Sequence, residues 1–567
     1  MNMRKDRREA PRANQVAPGC TVVGTETEFG IYRPTDLAAN PIALSTLAVE
    51  TYASHYRGDW GPVGWDYVGE DPLNDMRGMR LSRAHVDPSM LTDDPYHLAP
   101  PGGQERLSRP TEAELHLSRP SSIVLPNGGR YYVDHAHPEY SSPEVATALE
   151  GVMWDRAGDE IARRTMEFIG KGDDEVVLVK NNVDGKGATY GSHENYLIPR
   201  STDLDEVIRF MIPFLVTRPI ICGAGRVGIG QHSKRKGFQI SQRADYVEND
   251  IGLETTFNRP IFNTRDEPHA NHHYWRRIHV IGGDANQFDV SILLKLGTTA
   301  LVLEAIQRGT DMSWDTLDLM NPVDASQEVS RDLTLRQPLA MRDGSYLTAL
   351  EIQGLYLDLV ERSLEQTTTE SARCITECER LVLSTWRSVL EGLQTDPTSL
   401  ASEVEWVGKY VMFNRQRERL GLDWDAPVLA AMDIQWGDLR PDKSIVAALD
   451  QAGLVKRLVS QDKVRWAADN PPPTTRAAKR GTEVAHNRAL RQASWSSLVY
   501  DVEPDSRVRV PLADPQPQNC RPPEDAEANS RSEAPGRRSS ARRPFDSGPS
   551  NNPNEHAHYF DPRRSRR

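Results

Sequence analysis

The sequence predicts an α+β fold. Stretches that alternate between apolar and polar residues, such as CTVVGTETEFGIY at residues 20–32, predict strands, and apolar residues at helical spacing, as at residues 148–170, predict helices. These elements interleave without a regular strand–helix–strand repeat, which favours α+β over a parallel α/β sheet. A chain of 567 residues, 38% hydrophobic and 26% charged, is long enough for roughly two to four domains.

The first half of the chain alternates strands and helices around one long polar region. Residues 20–32 predict a strand and ALSTLAVETYASHY, residues 43–56, a helix. Residues 82–120 are rich in Pro, Asp and Ser without a clear period, which predicts a long loop. SSIVLPNGGRYYVD, residues 121–134, has a turn sequence between two β-rich runs and predicts a hairpin. The predicted helix from residue 148 ends at Gly170.

The second half continues in the same mixed order. The predicted elements are strands at 174–184 and 237–246, a helix followed by a strand at 207–225, a strongly apolar helix at 290–309, a helical region at about 350–420 and a smaller mixed segment at about 430–512. The final residues are rich in Pro, Ser, Asn and Arg, with almost no large apolar side chains, and predict disorder.

Charge and composition exclude several classes of function. The net charge of −13 argues against general nucleic-acid binding. No stretch approaches the length of apolar residues that a membrane span needs, and the charged N-terminus lacks the apolar core of a secretory signal. The five scattered cysteines are odd in number, and Cys374 and Cys378 lack a second pair, so neither a disulfide framework nor a zinc site is expected. We expect a cytoplasmic protein.

Two acidic strands carry the strongest chemical signal. Glu26 and Glu28 lie two positions apart and project from one face of their strand, and Arg130, Tyr132 and Asp134 share a face in GRYYVDHAHPEY. If both strands lie in one sheet, these groups converge, and buried carboxylates then require cations or solvent. Hard oxygen ligands suit Mg²⁺, especially Mg²⁺ carried by phosphates. The alternative is two exposed strands with solvated acids.

Histidines near these strands leave other interpretations open. His135 and His137 suggest zinc, but no cysteine or third histidine accompanies them. KNNVDGKGATYGSHENYL, residues 180–197, is polar and Gly-rich and contains His193, which is typical of a segment over a ligand or of an ordered surface hairpin.

Three further segments offer weaker signals. CGAGRVGIGQ, residues 222–231, superficially matches a dinucleotide fingerprint, but a basic run and a strand follow it instead of a helix. NTRDEPHANHHYWRRIHV, residues 263–280, contains Arg265 and other arginines that suit phosphate or carboxylate, or equally a structural ion-pair network. Arg476, Arg480 and Trp495 lie near the C-terminus, and Trp495 fits either a core position or a nucleotide-stacking contact.

Ten motifs in a fixed order resemble those of the family of Pup ligases and Pup deamidase/depupylases, which act on Pup, the small disordered protein tag of actinobacteria. They span about residues 20–505. The motifs are GTETEFG, GRYYVDHAHPEYSSPE, KNNVDGKGATYGSHENYL, PFLVTR, ISQRADY, FNTRDEPHA, RRIHVIGGDAN, LKLGTTALVL, NPPPTTRA and ASWSSLVYD. The form DHAHPEY at 134–140 and the insertion that holds ANPIALSTLAV and WDYVGEDPLNDMRG resemble the depupylase branch of the family.

The resemblance implies a glutamine-synthetase-like fold. Such a fold has a curved antiparallel sheet with packed helices, which binds ATP and Mg²⁺, and a small C-terminal domain. The implied organisation is a disordered arm at 1–18, a catalytic domain at 19–430 with an inserted loop region at about 36–120, the small domain at 431–512 and a disordered tail at 513–567.

The resemblance also implies roles for single residues. The implied roles are catalysis for Asp134, Mg²⁺ ligation for Glu26, Tyr132 and Glu139, and nucleotide contact for Arg130, Ser142 and Trp495. The alternation argument had not selected Glu139, because Pro138 interrupts it. Further candidates are Glu28, His193, Arg226, Arg243, Arg265 and Arg476, of which Arg226, Arg243 and Arg265 are candidates for the terminal carboxylates of Pup.

The implied reaction is hydrolysis of the side-chain amide at the C-terminal residue of Pup. This covers deamidation of Pup ending in Gln and cleavage of the isopeptide bond in pupylated proteins, with ATP and Mg²⁺ as supporting cofactors and a functional link to the bacterial proteasome. Asp134 would act as nucleophile or as the base that aligns water. An ATP-consuming Pup–protein ligase and a non-catalytic Pup-binding scaffold are the alternatives.

Overall fold

A twelve-stranded mixed sheet dominates the computed structural model, which describes residues 21–82, 121–184, 186–310, 317–371, 374–503 and 506–512 with positions 86, 90 and 515. The predicted arm at 1–18, most of the loop at 82–120 and nearly all of the tail at 513–567 lie outside these residues. The predicted α+β class is confirmed. No helix in the described ranges is long and apolar enough to cross a membrane.

Eighteen strands occur in the described part of the chain. In chain order they are β1 (Val23–Glu28), β2 (Gly30–Tyr32), β3 (Val63–Trp65), β4 (Ser122–Val124), β5 (Arg130–Asp134), β6 (His137–Ser141), β7 (Val177–Val179), β8 (Ser192–Pro199), β9 (Arg226–Ile229), β10 (Arg235–Gln239), β11 (Asn249–Gly252), β12 (Pro260–Asn263), β13 (Trp275–Val280), β14 (Leu339–Ala340), β15 (Tyr346–Leu347), β16 (Leu490–Ala493), β17 (Ser497–Glu503) and β18 (Ser506–Pro511).

The large sheet has the order β11-β12-β13-β8-β1-β6-β5-β4-β3-β16-β17-β18. Its neighbouring strands pair antiparallel except β11 with β12 and β3 with β16, which are parallel. The pairing of β3 with β16 joins the C-terminal strands β16–β18 to the rest of the sheet. Three two-stranded sheets, β2 with β7, β9 with β10 and β14 with β15, accompany it.

Thirteen α-helices are described. They are α1 (Pro41–Tyr56), α2 (Ala148–Ile169), α3 (Leu204–Thr217), α4 (Pro219–Cys222), α5 (Asp289–Gln307), α6 (Pro322–Arg331), α7 (Ala349–Ser371), α8 (Glu377–Thr395), α9 (Glu405–Leu420), α10 (Pro427–Gly437), α11 (Ile445–Gln451), α12 (Gln461–Asp469) and α13 (Ala477–His486).

Helices α2 and α5 pack against the sheet and against each other. The Thr147 side chain accepts a hydrogen bond from the Glu150 N–H at the start of α2, and Gly170, with φ of 93°, ends it as predicted. Gly158 of α2 meets the ring of Tyr140 on β6 so closely that a Cβ atom would lie 2.3 Å from that ring. This contact fixes α2 directly behind the strand that carries Glu139.

Helix α5 is buried on nearly all sides, as its continuous apolar sequence predicts. At its start the Asp289 carboxylate contacts Arg156 at 3.3 Å and Arg457 at 2.9 Å. These contacts join α5 to α2 and to the segment before α12, so the charge is paired although Asp289 is fully buried.

The structure changes two expectations about strands. GRYYVDHAHPEY is two strands instead of one, because β5 ends at Asp134, β6 begins at His137, and His135 between them has φ of 52°. Pro138 lies inside β6 and does not interrupt its alternation. The strand predicted at 237–246 ends at Gln239.

Candidate active site

Cross-strand pairing places three acidic side chains side by side on one face of the sheet. Glu28 of β1 pairs with Glu139 of β6, and Glu139 pairs with Tyr132 of β5. Directly paired residues point to the same face. Asp134 joins them from the end of β5, and ligand oxygens of Glu28, Asp134 and Glu139 lie within 4.8 Å of one another. The convergence predicted from alternation is therefore present.

Burial makes this carboxylate cluster electrostatically costly. Burial and the neighbouring carboxylates, Asp134 foremost, raise the pKa of Glu139 well above its usual value. Burial and the Glu139 carboxylate likewise raise the pKa of the Tyr132 phenol well above its ordinary value. A divalent cation among these oxygens would remove the repulsion, so the donor set fits Mg²⁺.

The hairpin between β5 and β6 positions Asp134. The His135 Nδ1 atom lies 3.0 Å from Oδ1 of Asp134, and the His137 Nδ1 atom lies 3.3 Å from Oε2 of Glu28. Burial alone would raise the pKa of Asp134, but the charge and hydrogen bond of His135 lower it to about 2. Neither histidine belongs to a ligand cluster found among the described residues, so the two do not form the zinc site that their spacing suggests.

A second row beside the first contains Glu26. Glu26 pairs with His193 of β8 on one side and with Ser141 of β6 on the other. Its Oε2 atom lies 3.1 Å from His193 Nδ1, and its Oε1 atom accepts a hydrogen bond of 2.9 Å from Asn195. Glu26, His193 and His279 form a second cluster, whose ligand atoms lie within 4.8 Å of one another and can hold a cation.

Positive neighbours determine the charge of this row. Burial would raise the pKa of Glu26, but the hydrogen bond with His193 and the charges of His279 and Arg277 hold it well below its usual range. Burial and the Arg277 charge lower the pKa of His279 well below its ordinary value. The row therefore presents an ionised Glu26 carboxylate at neutral pH.

Arg130 continues the second row on β5, where it pairs with Ser141. Its guanidinium carbon lies 3.9 Å from the ring centre of Tyr132 and 4.2 Å from that of Trp65, and its Nε donates to Ser122 at 3.0 Å. Aromatic faces thus surround the charge.

A cleft beside Glu26 collects most of the predicted nucleotide contacts. Its wall includes Glu26, Ser142, Arg277, Arg476 and Trp495. The Ser142 hydroxyl accepts a hydrogen bond from the Thr25 N–H at 2.9 Å and donates to the Pro143 carbonyl at 3.1 Å. Ser142 therefore lines the cleft with its hydroxyl hydrogen already donated to the Pro143 carbonyl.

Two arginines and one carboxylate fix the C-terminal wall of this cleft. Arg476 Nε donates to Glu144 at 2.6 Å, and the fully buried Arg480 contacts both oxygens of Glu144. Arg480 also donates to the Gly128 and Trp495 carbonyls. Burial would raise the pKa of Glu144, but Arg480 and Arg476 lower it to about 2.

The three arginines proposed for the Pup carboxylates differ in their partners. Arg226 donates to the Gly230 and Gln231 carbonyls and to Ser233 in the loop between β9 and β10.

Arg243 donates to Thr189 and to the carbonyls of Tyr190 and Ile281, and burial lowers its pKa to about 10. Within the described ranges, Nε and Nη2 of the buried Arg265 have no hydrogen-bond partner.

Sequence reasoning missed Trp65 and Glu144 and gave no role to Arg480, which it named beside Arg476. Trp65 contacts Arg130, Glu144 binds Arg476, and Arg480 supports Trp495. Glu144 belongs to the matched motif SSPE, so a count of acids near Ser142 would have found it. Trp65 lies far along the chain from Arg130 and Trp495, and no local pattern marks it.

The site and fold define a class of protein. A family model described as Pup-ligase protein matches residues 21–499. The chain belongs to this family.

Curated relatives from both branches of the family match most of the chain. A Pup deamidase/depupylase of Mycolicibacterium smegmatis is 42% identical over 498 residues, covering 87% of this chain and 94% of the relative. A depupylase of Acidothermus cellulolyticus is 42% identical over 501 residues with the same coverage. A Pup–protein ligase of Corynebacterium glutamicum is 39% identical over 446 residues, covering 75% of this chain and 90% of the ligase.

Two solved structures share the fold. The Pup ligase PafA in complex with Pup superposes with a TM-score of 0.70 at 29% identity, covering 92% of this chain and 93% of the ligase. PafA in complex with ADP superposes with a TM-score of 0.62 at 35% identity, covering 70% of this chain and 87% of the ligase. These matches confirm the expected fold.

Proposed function

We propose that this protein hydrolyses the side-chain amide at the C-terminal residue of Pup, both as the primary amide of Gln and as the isopeptide bond to a lysine of a pupylated protein. The observation that carries the proposal is the position of Asp134, whose carboxylate lies with those of Glu28 and Glu139, next to the Glu26 row that lines the predicted nucleotide cleft. The named deamidase and depupylase relatives support the same reaction.

The chain's own residues fit ATP and Mg²⁺. Glu26, Tyr132 and Glu139 would hold Mg²⁺, because they lie in adjacent rows on one face of the sheet and the Glu26 charge acts on Glu139. When bound, the cation supplies positive charge that offsets the carboxylates and polarises nearby oxygens. The ADP complex of the related ligase supports nucleotide binding, and Arg130 and Trp495 would contact the nucleotide.

The reaction replaces the amide C–N bond by a C–O bond. Water gives its oxygen to the carbonyl carbon and its hydrogens to the carboxyl group and the leaving nitrogen, so the products are Pup ending in Glu and ammonia or a free lysine. Asp134 attacks the carbonyl carbon itself or takes the proton of the attacking water. Its contact with His135 holds one carboxylate oxygen and leaves the other for this step.

Arg265 is the arginine that we propose for a carboxylate of Pup. Two of its nitrogens lack partners within the described ranges, whereas Arg226 and Arg243 donate to several protein groups. Buried guanidinium nitrogens without hydrogen-bond partners are unfavourable, and a substrate carboxylate would remove that cost. Pup itself and pupylated proteins are therefore the partners, and the link to the bacterial proteasome follows from them. We also propose a cytoplasmic location, because five scattered cysteines do not suggest the disulfide framework of a secreted protein.

One assay separates the three candidate functions. The protein is mixed with Pup ending in Gln, ATP and Mg²⁺, and released ammonia, ADP and conjugates are measured. The hydrolase releases ammonia without a matching amount of conjugate. A ligase forms conjugates coupled to ADP when given Pup ending in Glu and an acceptor lysine. A Pup-binding scaffold yields neither product. Absence of ammonia and of free lysine from a Pup conjugate would overturn the proposal.

A further inference from the structure

We propose that Trp65 positions the nucleotide, because its indole contacts both Arg130 and Trp495. This inference rests on the proposed function, which gives those two residues their nucleotide contacts. Trp65 is a positioning residue, since it acts through the side chains that touch the ligand.

The contact with Arg130 restrains a guanidinium that forms no ion pair with any other residue of the described ranges. The Arg130 guanidinium carbon lies 4.2 Å from the centre of the Trp65 ring and 3.9 Å from that of Tyr132. Its described hydrogen bonds go to the hydroxyls of Ser122 and Tyr67, at 3.0 and 3.5 Å. Among the described residues no carboxylate lies within ion-pair distance of it. Aromatic faces therefore hold the guanidinium and leave its charge for an anionic ligand such as a phosphate.

The contact with Trp495 links the same indole to a residue that lines the cleft. The rings of Trp65 and Trp495 meet edge to face, with centres 5.2 Å apart and an angle of 70°. Trp65 is itself only 2% exposed, and its Nε1 donates to Glu70. Because packing and a hydrogen bond hold the Trp65 ring in place, the ring in turn restrains the side chains of Arg130 and Trp495.

The backbone of Trp65 lies where two parts of the sheet meet. β3 pairs with β4 on one side and with β16 on the other, where Trp65 stands opposite Ala493. β4 leads through the hairpin to Arg130, and β16 leads directly to Trp495. Trp65 thus sets the spacing between Arg130 and Trp495, two proposed nucleotide contacts that lie far apart in the sequence.

The test compares ATP binding by Trp65→Leu, Trp65→Phe and the wild type, measured by calorimetry in Mg²⁺ buffer. We expect Trp65→Leu to weaken ATP binding about tenfold and Trp65→Phe about threefold, because a phenyl face attracts a cation less than an indole face does. The matched control is Trp386→Leu, which removes an equally buried indole that packs against Phe214 of α3. It should lower Tm and leave ATP binding within about twofold.

A double-mutant cycle separates positioning from general damage. In an Arg130→Ala background, Trp65→Phe should change ATP binding by less than its effect in the wild type, because its effect passes partly through Arg130. Equal effects in both backgrounds, or Trp65→Phe and Trp65→Leu variants that bind ATP as the wild type does, would overturn the inference. If Arg130→Ala and Trp495→Ala themselves leave ATP binding unchanged, the nucleotide part of the proposed function is wrong and the inference falls with it.

Discussion

Glu28 on β1 stands directly opposite Glu139 on β6, and oxygens of both carboxylates lie within 4.8 Å of each other and of Asp134. Like charges in direct cross-strand pairs destabilise a sheet. Here the pair is also buried, so the repulsion is weakly screened. A bound cation would relieve this repulsion, so the stability of this face should depend on one.

Replacing Glu139 by Gln should separate metal binding from folding. Without Mg²⁺, Glu139→Gln should be within about 1 kcal/mol of the wild type in free energy of unfolding, because the lost carboxylate was repelled by its neighbours. Saturating Mg²⁺ should stabilise the wild type by about 2.7 kcal/mol at a hundredfold excess over Kd, and the variant by clearly less. Thermal unfolding with EDTA and with Mg²⁺ measures both values.

The control for that experiment is Glu365→Gln on the exposed surface of α7. It should gain from Mg²⁺ as much as the wild type does. Equal stabilisation of Glu139→Gln and the wild type by Mg²⁺ would contradict the assignment of Glu139 as a ligand.

Replacing Asp134 by Asn should remove catalysis and keep nucleotide binding. The amide cannot attack the substrate or accept a proton from water, so we expect kcat for ammonia release to fall by at least about 10²–10⁴-fold. ATP binding should stay within about threefold of the wild type, because Asp134 lies at the hairpin end of its row. Full activity of Asp134→Asn on a Pup conjugate would exclude Asp134 as the catalytic residue.

Arg265 and Arg243 form a matched pair of buried arginines with opposite expected effects. Arg265→Met should raise KM for Pup about tenfold or more, as loss of a buried carboxylate contact does, without lowering the stability of the free protein. Arg243→Met should destabilise the fold, because the Tyr190 and Ile281 carbonyls lose their donor. Steady-state kinetics and urea unfolding of both variants check this contrast. If the Arg265→Met variant has an unchanged KM for Pup, Arg265 does not take part in Pup recognition.

Glu144 should contribute stability that disappears in acid. Its pKa of about 2 lies below the usual value of 4.5, so its contribution is complete above about pH 4.5 and is lost as pH falls towards 2. A shift of this size corresponds to about 3 kcal/mol, of which about 1 kcal/mol is lost by pH 4. Glu144→Gln should therefore be less stable than the wild type by about 3 kcal/mol at pH 7, and the difference should shrink in acid.

Urea unfolding at pH 7, 5 and 4 measures that difference. The comparison variant is Asp318→Asn, which breaks the exposed pair with Arg342 at 2.9 Å. It should stay within about 0.5 kcal/mol of the wild type at every pH. A gap between Glu144→Gln and the wild type that stays constant down to pH 4 would mean that the two arginines do not stabilise the ionised carboxylate.

Local sequence rules predicted much of the fold and half of the site. Alternation in β1 and β5 was enough to place Glu26 with Glu28 and Arg130 with Asp134, because side-chain direction in a strand repeats every two residues. The C-terminal end of α2 was likewise readable from Gly170.

Register and long-range contacts were beyond reach of those rules. Whether β5 continues past Asp134 depends on His135, which adopts a left-handed backbone that residues other than glycine seldom take. That turn brings Glu139 back beside Tyr132, so the local pattern of one strand could not show it. Arg480 and Trp65 matter through partners distant in the chain, which only the folded structure reveals.

The hydrogen bond between Ser497 and Asp66 joins residues that are 431 positions apart. Contacts between residues so far apart in sequence form late and slowly, because the entropy cost of closing a long loop comes before the contact stabilises the chain. During synthesis the strands of the first half emerge long before β16–β18, so β3 remains without one neighbour until translation is nearly finished. The unpaired edge of β3 is thus the part of the nascent chain most exposed to wrong pairing, and a chaperone that shields it would raise the yield of folded protein.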